Sequence, residues 1–237
     1  MAYELEEARA IDERMAPATP PVIAGVELAA ARLVVRTVGG DYFDVIRFDD
    51  GTAALCIADV IGKGIPAAML LANLQAAVRA LASPGLPPAE MCRRLNRALC
   101  QNMPPGKFIT LVYALLDPAS GRLTYANAGH SLPALLRAGG GVEYLREGGT
   151  VLGVFRDWSY QQAELVLGAG DRLLLYTDGV TEARNAEGEE FGEERLLAAA
   201  RASHHNAAEG VKNRIFAALE GFAGGFQDDA TLLVVAR

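Results

Sequence analysis

The sequence predicts an α+β fold in which two packed antiparallel sheets are covered by helices on their outer faces. Short β-compatible runs, broken by glycine, Asp-Gly and proline, fall into two blocks. Each block is followed by a pair of helix-patterned stretches, at residues 67–82 and 89–103 and again at 193–202 and 207–222. With 51% of the chain hydrophobic, there is enough apolar surface to fill the space between two sheets and beneath the helices.

Residues 3–16 are rich in helix formers, with Leu5, Ala8, Ile11 and Met15 at three- and four-residue spacing, and Pro17, Pro20 and Pro21 stop the run. This narrow apolar stripe suits packing on another chain, as in a homodimer, or on its own domain. Residues 1–21 thus read as a regulatory or linker helix with a proline-rich link, and 22–237 as one domain without repeats or composition breaks. Within it, 26–35 is a strand, and 42–48 and 52–59 form a hairpin turning at Asp49-Asp50-Gly51. The helix at 67–82 is apolar on most sides and should be well buried, whereas 89–103 sets Met91, Leu95 and Leu99 against an arginine-rich face. Evenly spaced runs at 108–116, 122–126, 132–137 and 142–145 suggest an antiparallel meander. A further pair, 160–167 and 172–178, turns at Gly168–Asp171, and 230–235 is the last strand.

A net charge of −7 excludes a general nucleic-acid binder, because no basic stripe is available to neutralise phosphates. No run approaches the length of a membrane span, and the charged N-terminus is no secretory signal. Cys56, Cys92 and Cys100 show no CxxC spacing and read as buried thiols, which suits the cytoplasm.

Carboxylates cluster at the ends of apolar segments. Asp41 follows Gly39-Gly40, Asp59 and Asp178 each close an apolar strand, and Asp228-Asp229 precedes the last one. Burying such groups together is costly unless cations compensate. Oxygen ligands of this kind suit the hard divalent ions Mg²⁺ and Mn²⁺. His130 is the only histidine outside the His204-His205 pair, so an imidazole site is not expected.

Six ordered blocks carry a resemblance: GGDYFD, ADVIGKGIPAAML, FITLVYALLDPASGRLTYANAGH, LGVF, DRLLLYTDGVTEARNAEGEEFG and DDATLLVV. In this order they resemble the SpoIIE-like (RsbU-type) bacterial serine phosphatases, a branch of the metal-dependent 2C-type protein phosphatases. The resemblance spans nearly the whole chain and implies an αββα sandwich. It implies two divalent cations, Mn²⁺ or Mg²⁺, with Asp41 as an acidic ligand and Asp59 bridging both. The Val60 carbonyl would sit beside Asp59, Asp178 and Asp228 would complete the shell of the second metal, and Asp229 would be at most an assisting ligand. Ala58 and Ile61 replace the family's usual glycine and serine, and Tyr42-Phe43 reverses its aromatic order.

The implied activity is hydrolysis of phosphoserine, or phosphothreonine, by a metal-activated water without a phosphoenzyme. The implied substrate is a phosphorylated STAS-domain anti-sigma-factor antagonist in a partner-switching pathway. The rival from another class is a catalytically silent binding module of the same fold, against which the intact acid set argues. A cyclase of the GGDEF type is discounted because Tyr42, not glutamate, follows Asp41. Arg36 and Lys63 are candidate phosphate contacts or solvated side chains, and Asn127, Gly129 and His130 form a turn expected to be structural.

Overall fold

In the computed structural model, which describes residues 2–15, 19–202 and 207–237, a leading helix α1 (Ala2–Met15) precedes strands β1 (Glu27–Leu33), β2 (Asp41–Arg47) and β3 (Ala53–Val60). Helices α2 (Ile65–Leu81) and α3 (Pro88–Leu99) follow, then β4 (Ile109–Asp117), β5 (Arg122–Ala128), β6 (Ala134–Leu136), β7 (Val142–Tyr144) and β8 (Gly148–Gly149). The chain closes with β9 (Ala163–Val166), β10 (Arg172–Tyr176), α4 (Asp178–Thr181), α5 (Gly192–Arg201), α6 (Ala208–Phe222) and β11 (Ala230–Ala236). The expected helix end at Ala16 and Pro17 and the His204-His205 pair lie outside the described residues.

One sheet runs β1-β11-β10-β6-β7 and the other β2-β3-β4-β5-β8, with β9 also on β5. These pairings are antiparallel apart from the two-residue β5–β8 contact. Side chains alternate across each strand, and this alternation builds the layers. In β3, Ala53, Leu55 and Ile57 enter the space between the sheets, while Ala54, Cys56 and Ala58 pack beneath α2 and α3. In β11, Leu233 and Val235 face the same central space, and Leu232 and Val234 meet Leu196, Val211, Ile215 and Leu219 of α5 and α6. The result is helix–sheet–sheet–helix, as expected. Among the described residues no helix is long and apolar enough to cross a membrane.

Two strand pairings differ from the expected ones. The runs at 108–116 and 122–126 do form a hairpin, but β6 and β7 sit on the edge of the other sheet. Likewise β9 joins β5 while β10 joins β11 and β6, so Gly168–Asp171 is a crossover between sheets rather than a hairpin turn. Asp171 fixes this crossover by accepting the Gly168 and Ala138 amides at 2.9 Å and pairing with Arg137 at 2.7 Å. Alternation tells which face of a strand is buried; it carries no information on which neighbour the strand takes. Helix α3 also ends earlier than expected, which leaves Cys100 at its C-terminal cap and only partly buried, unlike Cys56 and Cys92.

Helix α1 lies on its own domain. Asp12 receives two N–H groups of Arg32 at 3.0 and 3.1 Å, both side chains being 8% exposed, and Gln75 donates to the Met15 carbonyl. Tyr3 and Ile11 of the same helix remain exposed.

Candidate metal centre

The sequence-selected acids meet at one end of the sandwich. Asp41 opens β2 and is the register partner of Asp59 on β3, whose partner on β4 is Thr110. From the opposite sheet, β10 runs out into Thr177 and Asp178, and Asp228 and Asp229 lead into β11. Their mutual electrostatics report the proximity. Burial and then the charges of Asp178, Asp228 and Asp229 push the Asp59 carboxyl up to about 7. Asp41, only 2% exposed, is raised well above the usual carboxylate range by burial and then by Asp59. Asp178 is raised by burial and Asp228, with Lys63 opposing.

Neutral donors hold this frame. The Thr177 hydroxyl donates to Asp41 Oδ2 at 2.7 Å and accepts the Thr231 amide at 3.0 Å, which ties β10 and β11 to the start of β2. Asp229 accepts the Val35 and Gly40 amides, one on each oxygen, both at 2.8 Å. It therefore braces the glycine turn that presents Asp41. A side chain at Gly179 would collide with the Asp229 carbonyl, so the residue after Asp178 has to be glycine. Gly62, at φ +104°, leaves room for the Lys107 ammonium, which donates to the Ile61 carbonyl at 3.2 Å.

His130 stands beside this frame. Asn127 accepts its amide at 2.7 Å and donates to its carbonyl at 3.0 Å, and its Nδ1 lies 2.8 Å from the Thr110 hydroxyl, itself 3.3 Å from the Asp59 carbonyl. Burial pushes its pKa down to about 4, so the ring is neutral. Arg36 is drawn away, lining a cleft with Arg9, Asp12 and Glu13 beside α1. Lys63 is drawn in, to 2.7 Å from Asp228 Oδ2.

Several contributors escaped the sequence reading. The signal for Thr177 was adjacent, a hydroxyl residue wedged between an apolar strand and Asp178. Asp44 had none: it is buried, accepts the Tyr42 hydroxyl at 2.8 Å and pairs with Arg79, thereby fastening β2 to α2. The second acid of GGDYFD is a structural tie.

The donor set fits hard divalent ions. It offers carboxylates with raised proton affinity, whose repulsion a cation would relieve, and it contains no thiol. Among the described residues no three His, Cys, Asp or Glu side chains converge as a finished ligand cage. Asp228 is instead turned to Lys63.

The family model for Stage II sporulation protein E (SpoIIE) matches residues 49–237. The phosphoserine phosphatase RsbU of Bacillus subtilis (strain 168) is 32% identical over 237 residues, covering 99% of this chain and 70% of RsbU. The phosphoserine phosphatase RsbP of the same organism is 31% identical over 185 residues, 76% of this chain and 45% of RsbP. Among solved structures, the RsbU and RsbW domains of Rv1364c from Mycobacterium tuberculosis superpose with a TM-score of 0.79 at 30% identity, covering 92% of this chain and 63% of that one. The catalytic domain of the phosphatase PstP, solved with two manganese ions, shares the fold at a TM-score of 0.60 and 22% identity, covering 89% of this chain and 98% of that one. This chain thus spans less than half of RsbP and under two thirds of the Rv1364c structure. The chain belongs to the SpoIIE family of PP2C-type protein phosphatases.

Proposed function

We propose that this chain removes phosphate from phosphoserine, or phosphothreonine, on a partner protein, using two divalent cations held between its sheets. One observation carries the reading: Asp41 and Asp59 from one sheet and Asp178 and Asp228 from the other share one end of the sandwich, with their protons held abnormally tightly at Asp41, Asp59 and Asp178. Asp59, whose proton affinity Asp178, Asp228 and Asp229 all raise, would hold both cations, and the Val60 carbonyl lies next to it in the chain. Asp229 serves from outside, since both its oxygens already accept backbone amides. Bound there, Mn²⁺ or Mg²⁺ would supply a water of lowered pKa and positive charge facing the phosphoryl oxygens. The protein's own part is to hold the acids in place: Thr177 orients Asp41, and Asp229 fixes the Gly39-Gly40 turn.

For the substrate we propose a phosphorylated STAS-domain antagonist. The support is the resemblance to RsbU and the presence of an RsbW domain beside the RsbU domain in Rv1364c. The free thiols suit a reducing compartment, the cytoplasm. The test is phosphate release from a phosphoserine-bearing STAS protein by Mn²⁺-loaded enzyme, with chelated enzyme and Asp59→Asn as controls. Loaded enzyme that is inactive on both this protein and a chromogenic phosphate ester would refute the phosphatase reading.

A further inference from the structure

Lys63 sits against the acids that the second cation would need. Its ammonium lies 2.7 Å from Asp228 Oδ2 and donates to the Gln227 carbonyl at 2.6 Å. Both side chains of the ion pair are open to solvent, Lys63 at 37% and Asp228 at 49% exposure, so the contact is weak and exchangeable. Beside it opens a cleft of about 240 Å³ lined by Lys63, Gly179, Glu182, Arg184 and Asp228. The other cation of that cleft, Arg184, is exposed too, but its partner Glu190 is not among the acids of the metal centre, so a cation bound there would not compete for it.

We propose that Lys63 exchanges partners: it competes with a divalent cation for Asp228 and, where the cation takes that carboxylate, would bind a phosphoryl oxygen of the substrate in the adjoining cleft. This rests on the metal centre described above. Lys63 occupies an acceptor that a divalent ion would use, and two like charges cannot share one carboxylate oxygen at hydrogen-bond distance without strong repulsion. Once displaced, the ammonium stays near, because Gly62 and Gly64 on either side hold positive φ angles of 104° and 73° and set the path of the backbone. A phosphate dianion entering the cleft meets Glu182 and Asp228. Lys63, released when a cation takes Asp228, would offset them, since an ammonium binds phosphate as a point charge from many directions.

The experiment compares wild type, Lys63→Met, Lys63→Arg and Arg184→Met in two measurements. Calorimetry without substrate reads Mn²⁺ affinity, and inhibition of the Mn²⁺-loaded enzyme by inorganic phosphate reads the cleft. Lys63→Met should bind Mn²⁺ about two- to five-fold more tightly, the size of an exposed ion pair removed from competition. It should also be inhibited by phosphate about ten-fold more weakly, the loss of one charge-assisted hydrogen bond. Lys63→Arg should keep the phosphate inhibition. Unchanged or weaker Mn²⁺ binding in Lys63→Met overturns the exchange, as does unchanged phosphate inhibition. Arg184→Met tightening Mn²⁺ as much as Lys63→Met overturns it too, since the gain would then be a general charge effect. Failure of wild type to bind Mn²⁺, or equal binding by Asp59→Asn, would instead overturn the metal centre itself.

Discussion

Replacing Asp59 by asparagine should make the metal-free protein more stable while removing its activity. Asp59 has an ordinary carboxyl pKa of 3.8 when unfolded and about 7 in the fold. A raised folded value means that the native state favours the proton. The associated stability is full below about pH 4 and is lost as pH rises through about 7. The shift of about three units sets a ceiling of about 4 kcal/mol on the loss at alkaline pH. Neighbouring acids share the repulsion and water reaches part of the side chain, so we take half of it, about 2 kcal/mol. For a chain of 237 residues that is a rise of about 4–8 °C in melting temperature. The assay is thermal unfolding of both proteins in chelator at about pH 8 and about pH 4, where less than half the difference should survive. Added Mn²⁺ should reverse the order, since wild type gains binding energy that the variant cannot. Asparagine melting at or below wild type in chelator at alkaline pH would refute the argument that Asp59 is held against its own desolvation and the surrounding acids.

Three other perturbations follow from the same frame. Thr177→Val leaves the Thr231 amide and Asp41 without their shared hydroxyl, so it should cost about 1–3 kcal/mol in denaturant unfolding and weaken Mn²⁺ binding together. Asp12→Ala strands the Arg32 guanidinium at 8% exposure, and should destabilise by about 3–5 kcal/mol with proteolysis beginning at α1. Gly179→Ala drives a methyl group into the Asp229 carbonyl; it should lower stability by about 1–3 kcal/mol and abolish metal binding, read by calorimetry.

The fold class was legible because β3 and β11 are apolar on both faces, and a strand apolar on both faces has to lie between two packed layers. Asp59 was legible for a related reason: a carboxylate ending such a strand has no cheap place in an apolar core. What escaped the reading were partners remote in sequence. Nothing in residues 132–145 distinguishes an edge of one sheet from an edge of the other. That choice is made by Asp171, which binds the Ala138 amide across the crossover. The pairing of Asp12 with Arg32 and of Asp44 with Arg79 likewise depends on which helix lands on which strand. Charges along a helix face are far more often solvated than paired, so sequence alone gave no reason to single these out.

The site's acids do not hold one another together; they repel, and other groups keep them in register. Asp41 is held by a neutral hydroxyl, and Asp229 by two backbone amides from the segment that leads into β2. Such donors stabilise the charged carboxylates without neutralising them, so the negative field stays available to a cation. The geometry that presents Asp41 is therefore set by the fold, before any ion arrives. Asp228 is the exception, exposed and paired with Lys63. Neutral donors at Asp41 and Asp229 and an exchangeable ion pair at Asp228 place the opposing forces on different residues: burial and the surrounding acids act most on Asp59, and Lys63 opposes the negative charge at Asp178 and Asp228. Substitutions at the two positions should accordingly shift metal-free stability in opposite directions, upward for Asp59→Asn and downward for Lys63→Met.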